Sequence, residues 1–430
     1  MKERIRQVLD DALTRDWPVP KRREVPVKSH PGMVSVLVGM RRTGKTWLCF
    51  QLMHDLTKKG TPRDRILYVN FEDDRLAGST SEQLGWLTEL YYARNPSNRE
   101  TTCHFFLDEI QNIPGWEKYV RRLLDSENVR ITITGSSAKL LSKEIATCLR
   151  GRALTTEVFP LDFREYGTFH GVALAGDKGF GAVARSRAMQ AIDAYLFAGG
   201  FPAVQDMQQD MRREVLQNYV DTVLLRDVIE RHHVTTVPVL RALSRHLLQN
   251  PATGFSVTRF HGQMKSEGLA CTRDTVHLLL GHLEDAYLVF PVELFSRSAQ
   301  RRRVNPRKIY LVDTGLLGAF SLGMTADCGA RLENLVFLAL RRRGWPVSYG
   351  LAGDGHEVDF VCKQDDRPHL IQACWSVEQP QTRNREIRAL KELAEEYPGA
   401  TCTIVTWMDE GEEDGIPILP VWKWLLDSGQ

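Results

Sequence analysis

The residues with the clearest chemical potential are Gly39-Met40-Arg41-Arg42-Thr43-Gly44-Lys45-Thr46, which fit the spacing G-x-x-x-x-G-K-[ST]. Glycines at both ends let backbone N–H groups turn toward one point, and a helix starting behind them adds positive potential. That combination holds nucleotide phosphates. Gly39, Arg42, Thr43, Gly44, Lys45, Thr46 and Trp47 are the candidate ATP contacts. Lys45 is expected on the β- and γ-phosphates and the Thr46 hydroxyl on Mg2+. A second group follows in His104-Phe105-Phe106-Leu107-Asp108-Glu109, an apolar and aromatic run closed by two acids. Asp108 is expected to hold Mg2+ and Glu109 to orient the attacking water. A polar residue near Gly135 is expected between these motifs to sense the γ-phosphate. Thr134 and Ser136 are the candidates, with Ser136 preferred, while Ser137 serves equally well as a helix cap.

These residues need a parallel sheet to position them. The run Met33–Val38 reads as a buried strand, and Trp47–Lys59 as an amphipathic helix stopped by Gly60. Further strands are expected at Tyr68–Phe71, His104–Asp108, Val129–Thr134 and Ala153–Phe159, with helices over Trp116–Ser126 and Ala138–Cys148.

Bulk properties narrow the class. With 430 residues the chain is long enough for two or three domains, and 26% charged against 43% hydrophobic residues is ordinary for a soluble protein. A net charge of +2 makes any nucleic-acid site a local patch. No run spans a bilayer, and the first residues lack a signal-peptide core. Eight cysteines without a C-x-x-C pair point to reduced thiols in the cytoplasm and away from structural zinc.

The order of motifs resembles a family of bacterial and archaeal AAA+-type P-loop ATPases with an uncharacterised C-terminal half. The matching strings are Gly39–Thr46, Phe106-Leu107-Asp108-Glu109-Ile110-Gln111, Gly135-Ser136-Ser137, Gly151-Arg152 and Phe159–Tyr166. Gly199-Gly200-Phe201-Pro202, Leu225-Arg226-Asp227-Val228, Ile309–Leu316 and Glu357-Val358-Asp359-Phe360 follow in the same order. The resemblance implies an α/β fold with a doubly wound parallel sheet. It also implies an arginine finger at Arg152, or less readily at Arg150, reaching the nucleotide of a neighbouring subunit in a homo-oligomer such as a hexameric ring. Arginine at a helix C-terminus also satisfies carbonyls, so a capping role stays open.

Past the core, residues 170–187 read as a Gly- and Ala-rich linker, and Ala188–Val234 as a helical lid. Arg226, on a helix expected over Val215–Glu230, either senses nucleotide or pairs with Asp221, Asp227 or Glu230. Phe255–Phe260, a helix Arg273–Asp285 capped by Thr272, and a hairpin of Tyr287–Phe295 with Lys308–Val312 suggest a winged helix. Its tip carries Arg297, Arg301, Arg302, Arg303, Arg307 and Lys308. Arg301, Arg302, Arg303 and Arg307 are the candidate DNA contacts; neutralising about four phosphates gives a salt slope near −3.6. A protein partner is the competing reading. His277 and His282 are expected at the surface.

The last segment suggests a restriction-nuclease-like α/β domain: a helix with Glu333 near its start, then strands with Glu357 and Asp359 and with Ile371-Gln372-Ala373-Cys374. Glu333, Glu357, Asp359 and Gln372 form a candidate second metal site. Gln372 stands where a carboxylate is expected and Cys374 where a lysine is expected, so the site reads as degenerate.

The expected organisation is an N-terminal helix and basic linker over 1–30, a P-loop core over 31–168 and a helical lid over 169–245. A winged helix over 246–315 and a nuclease-like domain over 316–430 complete it. The expected function is an Mg2+-dependent ATPase that couples nucleotide state to DNA or a protein partner, without a membrane. The alternatives are a nucleotide-gated switch with negligible turnover and an ATP-regulated nuclease.

Overall fold

Parallel strands need covered faces, and the first unit of the chain supplies them with helices from its crossovers. The computed structural model describes residues 1–137, 149, 151–174, 181–320, 328–353, 355–364 and 367–427. The helix expected over Ala138–Cys148, and Arg150, lie outside these residues. The chain forms two compact units, one of Met1–Phe159 with Asp285–Tyr287, the other of Pro160–Glu284 with Leu288–Gln430.

In the first unit the strands are β1 (Val34–Val38), β2 (Ile66–Asn70), β3 (Cys103–Asp108), β4 (Val129–Gly135) and β5 (Ala153–Glu157). They form one sheet in the order β2-β3-β4-β1-β5, and every pairing is parallel. Strand β1 is buried along its whole length, which explains why it is apolar except at Ser35. Helix Lys45–Lys58 packs Leu48, Cys49 and Met53 onto Leu37, Ile66, Phe106 and Val158. Burying each such side chain contributes about 1.5–3 kcal/mol. The sheet therefore fixes the ends of β1, β3 and β4 side by side, where the loop and the acids emerge.

The second unit contains two sheets. Strands β6 (Thr253–Phe255), β7 (Val289–Val292) and β8 (Arg307–Leu311) pair antiparallel in the order β6-β8-β7. Strands β9 (Val347–Leu351), β10 (Glu357–Gln364), β11 (Arg367–Cys374), β12 (Thr401–Thr406), β13 (Gly411–Glu413) and β14 (Ile416–Pro420) form a mixed sheet in the order β13-β14-β12-β11-β10-β9. Helix Pro380–Glu396 covers it with Ile387, Leu390 and Leu393.

Local structure departs from the sequence reading in three places. Helix Ala182–Ala198 begins inside the stretch read as a linker, since its alanines favour helix and only the residues before them carry glycine. The helix expected over Val215–Glu230 is an α-helix, Gln209–Thr222, continued as π-helix over Val223–Glu230. The expected hairpin tip contains a short helix, Ala299–Val304, whose N-cap Ser298 accepts a bond from the Arg301 N–H.

Asp313 accounts for two of the motif strings. Its buried carboxylate accepts the Gly200 N–H at 2.6 Å and the Gly315 N–H at 2.9 Å, while Leu161 N–H donates to the Gly200 carbonyl at 2.7 Å. Gly199-Gly200 and Asp313-Thr314-Gly315 are thus two halves of one backbone junction.

Candidate functional site

The loop after β1 owes its shape to two glycines. Gly39 has φ +154°, and a Cβ there would stand 2.2 Å from the Val158 carbonyl oxygen. Gly44 has φ +99° and caps helix Lys45–Lys58. Lys45 is buried and its ammonium donates to the carbonyls of Gly39 at 2.9 Å and Met40 at 3.0 Å. It also lies 3.8 Å from the Glu109 carboxylate. Thr43 is fully buried and its hydroxyl donates to the Met40 carbonyl at 3.0 Å. Arg42, at φ +70°, and Trp47, 50% exposed, face solvent at the loop.

The ends of three strands converge on Asp108. Its carboxylate accepts the Thr46 hydroxyl at 2.8 Å and the Tyr68 phenol at 2.7 Å, and Thr134 donates to its other oxygen. Thr134 also accepts the Glu109 N–H at 2.9 Å. Glu109 is held in the left-handed region at φ +53°, a conformation that costs a non-glycine residue about 1–3 kcal/mol and recurs at functional sites. Burial raises its carboxyl above the ordinary glutamate value, with Lys45 opposing and Asp108 adding to the shift. Gln111 donates to the same carboxylate. The juxtaposed Thr46 hydroxyl and Asp108 carboxylate form a hard oxygen donor pair, which fits Mg2+.

Of the two candidates for the polar position, Thr134 is the one that joins Asp108 to Glu109. Ser136 is fully buried one residue past the end of β4. The first 30 residues do more than link. Arg23 is buried and donates to the Thr43 carbonyl at 2.9 Å and the Phe159 carbonyl at 3.0 Å, while its backbone exchanges two bonds with Gln51. The sequence reading missed this brace because nothing in the spacing ties residue 23 to the loop.

Arg152 sits where its carbonyl accepts the Val34 N–H, at the start of β1. The loop follows the other end of that strand, roughly 13–17 Å away at strand spacing. Its guanidinium pairs with Asp125 at 2.8 Å on the surface. Arg226 pairs with Glu230 at 2.9 Å, one of the partners expected for it.

The expected basic tip is only partly basic surface. Arg301 and Arg303 are exposed on helix Ala299–Val304. Arg302 donates to the Ser296 carbonyl, and Arg307 pairs with Glu293 at 2.9 Å. Lys308 is buried, contrary to its expected place at the tip, because β8 is the middle strand of its sheet and is buried from Lys308 to Leu311. His282 is half-buried, also contrary to expectation, and stacks on His232 with ring centroids 3.7 Å apart; His277 is exposed.

The candidate second metal site is built around that lysine. The Lys308 ammonium lies 2.6 Å from Glu333, 2.7 Å from Glu357 and 3.1 Å from Asp359. Burial alone would lower its pKa, but Asp359, Tyr310, Glu333 and Glu357 together hold it well above the ordinary lysine value. Burial, reinforced by Asp359, pushes the Glu333 carboxyl up to about 8. Gln372 has both ends engaged: its oxygen accepts the Asp359 N–H at 3.1 Å and its amide donates to Glu386 at 2.6 Å. Burial pushes the Cys374 thiol up to about 11, so it supplies neither a cation nor a base near neutrality. These residues do not fit a divalent metal, because an ammonium already takes one oxygen of each of the three carboxylates.

Residues 32–167 match the model of an AAA domain, and residues 189–327 that of a domain of unknown function, DUF8612. An uncharacterised protein of Methanocaldococcus jannaschii is 33% identical over 418 residues, covering 94% of this chain and 90% of the relative. An uncharacterised Haemophilus influenzae protein is 29% identical over 394 residues, covering 91% of this chain and 94% of the relative. Among solved structures, the Walker-type ATPase of Pyrococcus abyssi is similar at TM-score 0.43 and 13% identity, covering 74% of this chain and 95% of that one. The AAA-domain match over the loop-bearing sheet and the nearly full-length archaeal relative show that the chain belongs to a family of AAA-type P-loop ATPases.

Proposed function

We propose that the chain binds ATP with Mg2+ at the Gly39–Thr46 loop, hydrolyses it, and works as a homo-oligomer. The observation that carries this reading is the convergence of Lys45, Thr46, Asp108, Glu109 and Thr134 at the ends of β1, β3 and β4. Gly39, Thr43 and Gly44 shape the loop, and Lys45 supplies the positive charge for the terminal phosphates. Thr46 and Asp108 would hold Mg2+, which draws charge from the phosphate oxygens when bound. Glu109, its backbone fixed by Thr134, orients the attacking water. Arg42 and Trp47 border the nucleotide, and Ser136 lies behind the strand end.

Arg152 is proposed as a finger acting on a neighbouring copy. Its place at the far end of β1 from the chain's own loop supports action in trans. Such fingers raise turnover by roughly 10³–10⁵ in well-studied NTPases.

The second unit is proposed to carry the output. The order helix Val237–Gln249, β6, helix Val257–Ser266, helix Arg273–Asp285, β7, β8 supports the winged-helix reading. Exposed Arg301 and Arg303 favour DNA phosphates as its target, with a protein partner as the competing outcome. Steady-state hydrolysis with and without DNA tests both parts of the proposal. Mg2+-dependent turnover that changes with DNA supports them. Tight ATP binding without turnover would favour the nucleotide-gated switch.

A further inference from the structure

An ammonium group has three hydrogens to donate, and Lys308 meets one oxygen from each of three carboxylates within 3.1 Å. Its side chain is only 5% exposed. The other Asp359 oxygen accepts the Ala373 N–H at 3.0 Å, and Tyr310 donates at 2.7 Å to the same Glu333 oxygen that meets Lys308. Tyr310 is itself fixed by stacking on Phe337, with centroids 4.4 Å apart.

We propose that Lys308 is the resident cation of this cluster, occupying the position of a divalent metal and locking β8 to β10 and helix Cys328–Arg342. The cluster thereby excludes Mg2+ and Mn2+ while Lys308 is in place.

The charges support this assignment. A carboxylate at position 372 would add a further negative charge; Gln372 adds none, so Lys308 faces three carboxylates and not four. The same glutamine spends its amide on Glu386 and its oxygen on the Asp359 backbone, so it holds β10 and β11 in register. Cys374 stands where a lysine is expected, and Lys308 brings an ammonium from another strand. It serves as a counter-ion and not as an activator of water. This assignment does not depend on whether the first unit hydrolyses ATP.

The test is Mn2+ binding to nucleotide-free, full-length protein, followed by electron paramagnetic resonance and by thermal melting. Wild type and Asp359→Asn should bind the same number of Mn2+ ions. Lys308→Ala should melt roughly 5–15 °C lower, because the largely buried Glu333 and Asp359 and the more exposed Glu357 lose their shared cation. It should gain one Mn2+ site at least tenfold tighter than any in wild type, and Mn2+ should recover part of the lost melting temperature. Adding Asp359→Asn should abolish that site. Lys308→Gln replaces Lys308→Ala should the latter not fold. A wild-type Mn2+ site lost in Asp359→Asn would overturn the proposal, and so would a folded Lys308 variant that gains no site. DNA cleavage by wild type that depends on Asp359 would overturn it too.

Discussion

At the scale of single residues, Thr134 carries a role beyond its strand. Its hydroxyl ties Asp108 to the Glu109 backbone, so it fixes the two carboxylates relative to each other. Thr134→Val keeps the shape and leaves two buried polar groups unpaired, which should cost about 1–3 kcal/mol of stability. ATP turnover should fall at least tenfold with ATP affinity nearly unchanged, and Thr134→Ser should restore most of it. Equal losses in the serine variant, measured by steady-state kinetics, would show that only packing matters. The neighbours of Thr134 in this site were legible in the sequence because Lys45 and Thr46 open a helix after a glycine loop and Asp108 and Glu109 close an apolar strand, each with a local signature. The Thr134 bridge was not legible because side-chain reach at the end of β4 is set by its pairing with β3. Arg23 was illegible for a plainer reason: its partners, Thr43 and Phe159, are brought to it only by folding.

At the scale of elements, the parallel sheet follows from continuous apolar runs, and its strands fall close to where the sequence put them. The hairpin β7–β8 was also legible, but its polarity was not. A run of basic residues reads as one patch, whereas the buried middle strand β8 takes Lys308 into the interior and a capped helical turn separates Arg301 and Arg303 from Arg302. The stacked pair His232–His282 makes a prediction about the second unit. Burial, helped by the positive charges of His282, Arg231 and His233 and opposed by Asp227, lowers the His232 pKa to about 4. The folded state thus prefers neutral His232, and the unfolded chain binds more protons between the ordinary histidine value and about pH 4. The associated stability is present above pH ~6.5 and is lost as pH falls toward 4. Denaturation midpoints between pH 7 and pH 4.5 should fall less steeply in His232→Phe than in wild type. Identical slopes would remove this histidine from the account.

At the scale of the whole molecule, the proposals concern what the chain assembles with. If two exposed arginines, Arg301 and Arg303, make the DNA contacts, log affinity should fall with log salt at a slope near −1.8, about half that expected from four phosphates. Fluorescence anisotropy over a salt series measures it; a slope near −3.6 would bring Arg302 and Arg307 back into the contact. Arg152→Ala should retain ATP binding and lose most turnover, and wild-type turnover per chain should rise with protein concentration as subunits meet. Turnover per chain that is flat over a hundredfold dilution would contradict a finger in trans. Among the described residues no helix is long and apolar enough to cross a membrane.

The central claim is that the loop, Asp108 and Glu109 form one hydrolytic centre, and phosphate release from ATP tests it most directly. Wild type should turn over ATP only with Mg2+, Lys45→Ala should lose both binding and turnover, and Glu109→Gln should bind ATP while releasing at least a hundredfold less phosphate. Wild-type phosphate release from either variant would contradict the account.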